Sequence, residues 1–406
     1  MKIVNPIRPP RILLPKDGID MNSFAVIACD QFTSQREYWD DLKTKIGEKP
    51  STYHMIFPEA YLTIVNEKEY IDGINRHIET YLKEEVLKDV GDCFILVERE
   101  TPHTKRRLGL VISVDLEAYS YQKGTKALIR ATEATIVERI PPRLKIRENA
   151  PVELTHVQFL FDDHKKQIVE GLYEKRKELP LVYDFELNQN GGHLRGYQIK
   201  DTQPIIDAFT RLTEENGNGL MFVVGDGNHS LATAKAHWDR IKGDLTPEER
   251  KVHPARFALV EAINLYDKGL EFEPIHRVVF NVKNDFVSGL RKAVQGSYNT
   301  HIYSKEDGEV PLLIPSNAPM AYRLIQDYID QYLRNNPGVT VDYIHDLNHT
   351  HEVADKHPGS IAIAMPSLTK GDLFDYIASG DVLPRKTFSM GHAVEKRYYL
   401  ECKRIK

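Results

Sequence analysis

The apolar segments of this chain are short, and they alternate with segments of helical periodicity along its whole length. The longest apolar runs, such as residues 108–114 and 361–365, fall well short of the ~20 residues that cross a bilayer. Runs such as 94–98 are typical of strands covered on both faces. Residues 67–90 place apolar side chains at helical spacing, and Gly91 is expected to end that helix. This alternation predicts a mixed α/β or α+β fold.

Composition narrows the class of protein further. The chain has 406 residues, enough for two or three domains at roughly 150 residues each. Its 54 basic and 59 acidic residues give a net charge of -5, which argues against nucleic acid as the main partner. The three cysteines are too few and too scattered for a disulfide framework, and the N-terminal residues lack a signal-peptide pattern. We therefore expect a cytoplasmic protein with no membrane partner.

The pattern of strands and helices restarts near residue 280, although composition changes little there. We expect two domains: residues 1–282, and a smaller α/β domain of residues 283–406. The polar, basic, glycine-containing segment 383–392 of the second domain is expected to form a loop that closes over a site. An ordinary connecting loop is the alternative.

The strongest local signal is a glycine-flanked turn between a buried apolar strand and a helix. Its residues are Gly225-Asp226-Gly227-Asn228-His229-Ser230. Glycines let the backbone approach a ligand closely, and the amides and dipole at a helix start favour a phosphate. Asp226 would repel phosphate unless a cation lay between them, so we assign it to Mg²⁺. The alternative is a plain strand-turn-helix connection with Asn228 or Ser230 as the helix cap.

The second signal is a basic stretch between residues 123 and 147. Its cations are Lys123, Lys126, Arg130, Arg139, Arg143, Lys145 and Arg147. Arginine can bind phosphate through two parallel hydrogen bonds, so these side chains are candidate phosphate ligands. Pro141 and Pro142 favour a fixed loop over one long helix. A solvated surface is the alternative.

Two further patterns suggest chemistry but favour ordinary structure. Residues 345–352 contain three histidines, and imidazoles at i and i+4 can share a helix face. Their Thr, Asn and Asp neighbours nevertheless favour a turn or helix start, and a surface loop is the favoured interpretation. Cys29 beside Asp30 has the residue types of a nucleophile and a base, but a buried cysteine used as a small apolar residue is the favoured interpretation.

Three motifs, in this order, resemble a large bacterial family known by a domain-of-unknown-function number. The first is the Asp-Gly-x-His turn, the second is Asp-x-Gly-Leu followed by Pro-x-His-Arg, and the third is Pro-x-Lys-Thr. Here their residues are Asp226, Gly227 and His229; Asp267, Gly269, Leu270, Pro274, His276 and Arg277; and Pro384, Lys386 and Thr387. The resemblance spans essentially the whole chain.

That family in turn resembles the ParB-like, sulfiredoxin-like fold of free serine kinases, which phosphorylate L-serine using a nucleotide or pyrophosphate. The resemblance implies a carboxylate base early in the chain, matched here by Asp30 where those kinases carry a glutamate. Asn228 replaces the first histidine of their Asp-Gly-His-His turn, and Ser230 stands where they carry an arginine. A phosphate contact is therefore expected to have moved to residues 123–147.

Residues and resemblance together predict a phosphotransferase that converts free L-serine to O-phosphoserine with Mg²⁺. Pyrophosphate is the preferred donor, ahead of ADP or ATP. Asp30 and His229 are the expected catalytic residues, and Asp226 the expected metal ligand. The expected phosphate ligands are Gly227, Asn228, Arg130, Arg139, Arg143, Lys386 and Thr387. The expected substrate ligands are Gln31, His276 and Arg277.

Two alternatives stay open. One is a phosphatase that acts on phosphoserine, because the same groups stabilise the same transition state. The other is a non-catalytic nucleotide- or DNA-binding regulator of the ParB type, against which the net charge counts. The sequence makes no prediction of oligomeric state.

Overall fold

The computed structural model describes residues 4–62, 64–135 and 140–406, and these form two compact units. Unit 1 comprises the chain up to Ala131, Thr135–Leu270 and His392–Lys406. Unit 2 comprises Thr132–Ala134 and Glu271–Gly391. The chain passes between the two compact units at residues other than 282. The expected boundary near 282 concerns domains that fold independently, and it stays a prediction. Within the described ranges, no helix combines the length and the apolar character that a membrane crossing requires.

Helices are distributed along the whole chain. In the described residues their bounds are α1 Met21–Phe24, α2 Arg36–Ile46, α3 Glu67–Lys83, α4 Ile140–Asn149, α5 Val169–Glu174, α6 Gln203–Asn216, α7 Asn228–Ile241, α8 Pro247–Val252, α9 Phe286–Ala293, α10 Ala318–Asn335, α11 Leu347–Lys356 and α12 Lys370–Ala378.

Strands alternate with these helices. In the described residues their bounds are β1 Ile7–Arg8, β2 Arg11–Pro15, β3 Val26–Ile27, β4 Leu87–Asp92, β5 Phe94–Glu100, β6 Arg107–Asp115, β7 Tyr119–Ser120, β8 Ile129–Ala131, β9 Val152–Leu154, β10 Val157–Phe161, β11 Leu181–Leu187, β12 Gly192–Ile199, β13 Phe222–Asp226, β14 Phe257–Asn264, β15 Phe272–Pro274, β16 His276–Phe280, β17 Tyr298–Ser304, β18 Gly308–Ile314, β19 Thr340–Ile344, β20 Ile361–Ile363, β21 Phe388–Met390, β22 Tyr398–Tyr399 and β23 Cys402–Arg404. The interleaving confirms the mixed α/β class, while the ParB-like, sulfiredoxin-like architecture stays a prediction.

A large mixed sheet is the centre of unit 1. Its strand order is β11-β12-β5-β6-β14-β10-β13-β8-β7, with β1 paired to β6. The pairs β10–β14, β13–β8 and β7–β8 are parallel, and the others are antiparallel. In β5, Phe94 and Leu96 join one buried apolar cluster, whereas Ile95 and Val97 join another. The central strands are therefore covered on both faces, as their unbroken apolar sequence predicted.

The C-terminal segment of the chain belongs to unit 1. β22 pairs with β3, and β23 lies between β2 and β9 in a second sheet of order β4-β2-β23-β9. The backbone amide of Ala28 also donates to the carbonyl of Arg397, at 2.8 Å. The last residues thus hold the loop that follows β3.

Unit 2 has its own sheet, of order β18-β17-β20-β16-β19, and a two-stranded pair of β15 and β21. Helices α9 and α10 pack against each other beside a separate apolar cluster that includes Phe286, Tyr322 and Ile325. β17 and β18 form a regular antiparallel hairpin, with His301 opposite Pro311 and Tyr303 opposite Glu309.

Two local predictions were wrong. The helix expected over 67–90 ends at Lys83, because Glu85 takes a positive φ of 53° and the chain continues as strand β4, which contains Gly91. Pro141 lies in the first turn of α4 instead of a loop. Proline is tolerated there, since the first amides of a helix have no partner within it.

Buried charges join β14 to the C-terminal segment. Arg397 Nε lies 3.4 Å from Glu261 Oε2, and the same guanidinium pairs with Glu401. Gln158 Nε2 donates to Glu261 at 3.1 Å, and the Tyr183 hydroxyl donates to Glu401 at 2.5 Å. Burial lowers the pKa of Arg397, but the charges of Glu401 and Glu261 outweigh burial and raise it overall. Arg397 thus pairs with both carboxylates, and all three side chains have almost no access to water.

We expect Arg397→Met to lower the free energy of unfolding by about 3–5 kcal/mol, because it removes the cation that pairs with two buried carboxylates. Urea denaturation followed by circular dichroism measures this loss. The control is Arg11→Met, which breaks the surface pair with Asp89, where the arginine side chain is 70% exposed. Equal stability of the two variants would show that the buried pairing does not hold the fold.

Candidate functional site

Asp30 lies in the loop that follows β3, where β22 and the backbone of Arg397 hold the chain. Its side chain retains 28% of its exposure, so a ligand can reach it. Gln31 Nε2 donates a hydrogen bond to Asp30 Oδ1 at 2.9 Å. The predicted substrate ligand Gln31 therefore orients the predicted base.

His156, at the start of β10, is the partner of Asp30. Its Nε2 atom lies 3.6 Å from Asp30 Oδ2, and its Nδ1 atom lies 2.5 Å from the Tyr399 hydroxyl. That hydroxyl donates its proton to Cys29 Sγ at 3.2 Å, so it accepts from Nδ1. A hydrogen-bond acceptor at Nδ1 and a carboxylate near Nε2 both favour the imidazolium form of His156.

The charges of this pair support each other. Burial lowers the pKa of His156, but the Asp30 charge and hydrogen bond outweigh burial and raise it well above its ordinary value. Burial likewise raises the pKa of Asp30, and the positive charge of His156 outweighs that effect and lowers it overall. Asp30 is therefore ionised, and His156 protonated, at neutral pH.

Lys396 connects this pair to the glycine-flanked turn. Its Nζ atom lies 3.6 Å from Asp226 Oδ2, and its charge is also among those that lower the pKa of Asp30. The lysine side chain is 9% exposed, against 23% for Asp226. The nearly buried ammonium of Lys396 therefore interacts electrostatically with both Asp30 and Asp226.

Gly227 brings the start of α7 against His156. It has a φ of 80°, which favours glycine, and the backbone amide of Leu231 donates to its carbonyl at 3.0 Å as the helix begins. A Cβ at this position would lie 3.0 Å from His156 Cδ2 and 3.1 Å from Val157 Cα. β13, which carries Asp226, pairs with β10 and so sets this approach. The N-terminal end of α7, which carries the positive end of the helix dipole, therefore lies beside His156.

These residues form a cluster suited to an anion beside a hydroxyl group. His156, Lys396 and the α7 N-terminus offer positive potential, and Asp30 offers an ionised hydrogen-bond acceptor. Asp226 offers carboxylate oxygen, the kind of ligand that Mg²⁺ takes in proteins, beside the ammonium of Lys396. Its chemistry therefore fits Mg²⁺, and its role as the metal ligand stays a prediction.

The structure places Asp30 and the Asp226–Gly227 turn around the same two neighbours, His156 and Lys396. Asp30 and this turn lie almost two hundred residues apart in sequence. Asn228 and His229 are the first two residues of α7 and are half-buried; the His229 carbonyl accepts from the Thr233 hydroxyl at 2.7 Å. Their predicted roles stay predictions.

Sequence reasoning missed His156, Lys396 and Tyr399. The one available signal for His156 was a histidine directly before an apolar strand, a pattern that buried structural histidines share. Lys396 and Tyr399 lie in a segment where only a strand was expected.

The predicted arginines are placed differently. Arg130 is buried in β8, where its Nε donates to the Ala127 carbonyl at 2.8 Å and burial lowers its pKa. Arg143 pairs with Glu59, whose backbone amide donates to the Cys29 carbonyl at 2.8 Å. Arg143 is thus linked to the residue before Asp30. Arg139 lies outside the described residues.

The remaining predicted residues belong to unit 2. His276 and Arg277 are buried in β16: His276 Nδ1 accepts from the Met365 amide at 3.0 Å, and Arg277 Nε donates to Gln326 at 3.3 Å. Burial and the charge of Arg277 lower the pKa of His276 to about 4. Lys386 has a positive φ of 57°, and the amide of the buried Thr387 donates to Glu133 at 3.3 Å. Their predicted ligand roles stay predictions.

Comparisons with known proteins give one family and several distant structures. A search of curated proteins found no match. A free serine kinase in complex with AMP aligns with 73% of this chain and 92% of its own, at 8% identity and a TM-score of 0.40. A conserved hypothetical protein from Pyrococcus furiosus aligns with 71% of this chain and 90% of its own, at 8% identity and a TM-score of 0.36. SbnI from Staphylococcus aureus, with a C-terminal truncation, aligns with 69% and 82%, at 10% identity and a TM-score of 0.38.

The family match is of a different quality, because it covers most of the chain. A family model described as "Protein of unknown function (DUF1015)" matches residues 13–358, a range that includes the turn at Asp226 and the motif from Asp267 to Arg277. The chain therefore belongs to the DUF1015 family, in agreement with the resemblance of its motifs.

Proposed function

We propose that this protein transfers a phosphoryl group from a phosphoanhydride donor to the hydroxyl of a small alcohol, with free L-serine as the acceptor. One observation carries the proposal: the Asp30–His156 pair, the Lys396–Asp226 pair and the N-terminus of α7 form one cluster in unit 1. Phosphoryl transfer needs positioned charges more than covalent chemistry, and this cluster supplies charges of both signs. The choice of serine rests on the resemblance of the sequence motifs.

Asp30 is the group that accepts the proton of the attacking hydroxyl. The acceptor oxygen forms a bond to phosphorus while the bridging phosphorus–oxygen bond of the donor breaks, and the hydroxyl proton passes to the Asp30 carboxylate. The lowered pKa of Asp30 keeps it ionised and able to orient the hydroxyl. A weak base is adequate, because a loose transition state needs little negative charge on the nucleophile.

Lys396 and the start of α7 bind the transferred group. The ammonium and the helix dipole place positive potential beside Asp226. This potential would stabilise the negative charge that develops on the leaving oxygen of the donor. His156, as an imidazolium, adds a third positive group and stays fixed by Tyr399. Gly227 is required because a side chain there would meet His156.

Mg²⁺ would be held by Asp226 and by the donor, and it would neutralise charge on the phosphate oxygens. Pyrophosphate, ADP and ATP all present the phosphoanhydride that this chemistry requires. The free serine kinase structures are complexes with AMP or ADP, and all three donors belong in the test.

The first prediction is catalytic. Incubation with L-serine, Mg²⁺ and each donor should yield O-phosphoserine, measured by mass spectrometry. Asp30→Asn should lower kcat by about 10²–10⁴-fold, because it removes a positioned base without changing its shape. Asp41→Asn, which changes an exposed carboxylate on α2, is the matched control and should keep full activity. Absence of product with every donor, or release of phosphate from phosphoserine alone, would refute the proposed reaction.

The second prediction concerns Lys396. Lys396→Met should raise the KM for the donor at least about tenfold and change the KM for serine much less, because the ammonium faces the phosphate and not the alcohol. Lys251→Met, at a side chain that is 70% exposed on α8, is the control. Equal changes in both KM values would place Lys396 outside the donor site.

The third prediction is a pH dependence. Because the folded-state pKa of His156 is raised, its contribution to stability is complete below the ordinary value of about 6.5 and is lost as pH rises through the folded value. NMR of the ring nitrogens should show His156 still protonated at a pH of about 7.5. In Asp30→Asn its pKa should fall below that of the unchanged protein. A neutral His156 in the unchanged protein at that pH would contradict the ion pair.

A further inference from the structure

A cluster of nitrogen and oxygen ligands lies in unit 2, within its own elements. His301 on β17 and Glu309 on β18 share one face of the hairpin, and His351 on α11 lies over that face. His301 Nε2 is 3.9 Å from Glu309 Oε1, and His351 Nδ1 is 4.0 Å from the same oxygen. One ligand atom from each residue lies within 4.8 Å of the other two.

Neighbouring side chains position the imidazole of His351. The His351 ring stacks on Tyr303 with centroids 4.3 Å apart, and the Tyr303 hydroxyl donates to Asp355 Oδ1 on the same helix at 2.6 Å. Asp346 caps α11 by accepting from the His349 amide at 2.6 Å. The segment expected to form a surface loop is therefore a helix start that brings one of its histidines to the hairpin.

Two buried nitrogens in the cluster lack a protein partner. The Nε2 atoms of His301 and His351 are both buried, and neither has a hydrogen-bond partner among the residues that the structure describes. A buried polar atom without a partner is costly. For His301 Nε2, which also faces Glu309 Oε1, coordination to a metal ion would remove that cost.

We propose that His301, His351 and Glu309 bind one Zn²⁺-class transition-metal ion. Two imidazoles and one carboxylate are a usual set of three protein ligands for zinc, and a fourth position remains for water. Tetrahedral zinc at about 2.0–2.1 Å from each ligand needs ligand atoms about 3.4 Å apart. The two nitrogen–oxygen separations to Glu309 are about 0.5 Å longer than this, and the Glu309 side chain is 60% exposed and free to approach. Imidazole ligands disfavour Mg²⁺ and Ca²⁺.

The ion would connect α11 to the β17–β18 hairpin. Because both elements belong to unit 2, binding should stabilise that unit against unfolding. This inference uses none of the residues of the proposed phosphotransfer site, so it stands or fails independently.

The proposed zinc site predicts Zn²⁺ binding by the full-length protein after treatment with a chelator. Calorimetric titration with Zn²⁺ should show a site that His301→Ala and His351→Ala each weaken at least about tenfold. His349→Ala is the matched control, since His349 lies two residues away on the same helix with 56% of its side chain exposed. Its affinity for Zn²⁺ should be unchanged. Unaltered Zn²⁺ binding in both His301→Ala and His351→Ala would overturn the proposal.

A second measurement covers variants that fail to fold. X-ray absorption of the Zn²⁺-loaded, unchanged protein should show nitrogen and oxygen ligands with the signature of two imidazoles. Glu309→Gln, at a mostly exposed position, should fold normally and bind Zn²⁺ more weakly. A spectrum with sulfur ligands, or without imidazole, would assign the ion elsewhere and refute the site.

Discussion

Arg397 holds the C-terminal segment in unit 1 by pairing with Glu261 and Glu401, and the candidate site depends on that pairing. Lys396 precedes Arg397 directly, and Tyr399 follows it by two residues, so one anchored side chain sets the positions of both. The carbonyl of Arg397 also accepts from the amide of Ala28, two residues before Asp30. Three of the groups that make the site therefore share one point of attachment.

Two of the buried ion pairs of unit 1, Arg397–Glu261 and His156–Asp30, differ in their access to solvent. The side chains of Arg397 and Glu261 are each 2% exposed, so the pair is closed to ligands. Asp30 keeps 28% of its side-chain exposure while its partner His156 keeps 10%. An ion pair that is open on the carboxylate side retains a charge that a substrate can use, whereas a closed pair only contributes to the fold.

Local sequence patterns predicted most strands and helices and the turn at Gly227, because these depend on periodicity and on glycine's access to positive φ. They failed at Glu85, where a left-handed residue ends α3 early and lets β4 begin. The partners of Asp30 could not be predicted from local patterns, for another reason. His156 and Lys396 come to it through β10 and the returning C-terminal segment, and no local pattern encodes pairings over such separations. The motif at Asp226 was recognisable, but the cation beside it was not.

The two proposed sites favour different classes of metal ion, because their ligands differ. Asp226 offers oxygen beside an ammonium group, so it suits a hard cation that arrives with phosphate oxygens of its own. His301 and His351 offer imidazole nitrogen between α11 and the hairpin, which suits a borderline cation held by the protein alone. Zn²⁺ and Mg²⁺ therefore act as separate probes of the two sites, since neither ligand set favours the other ion.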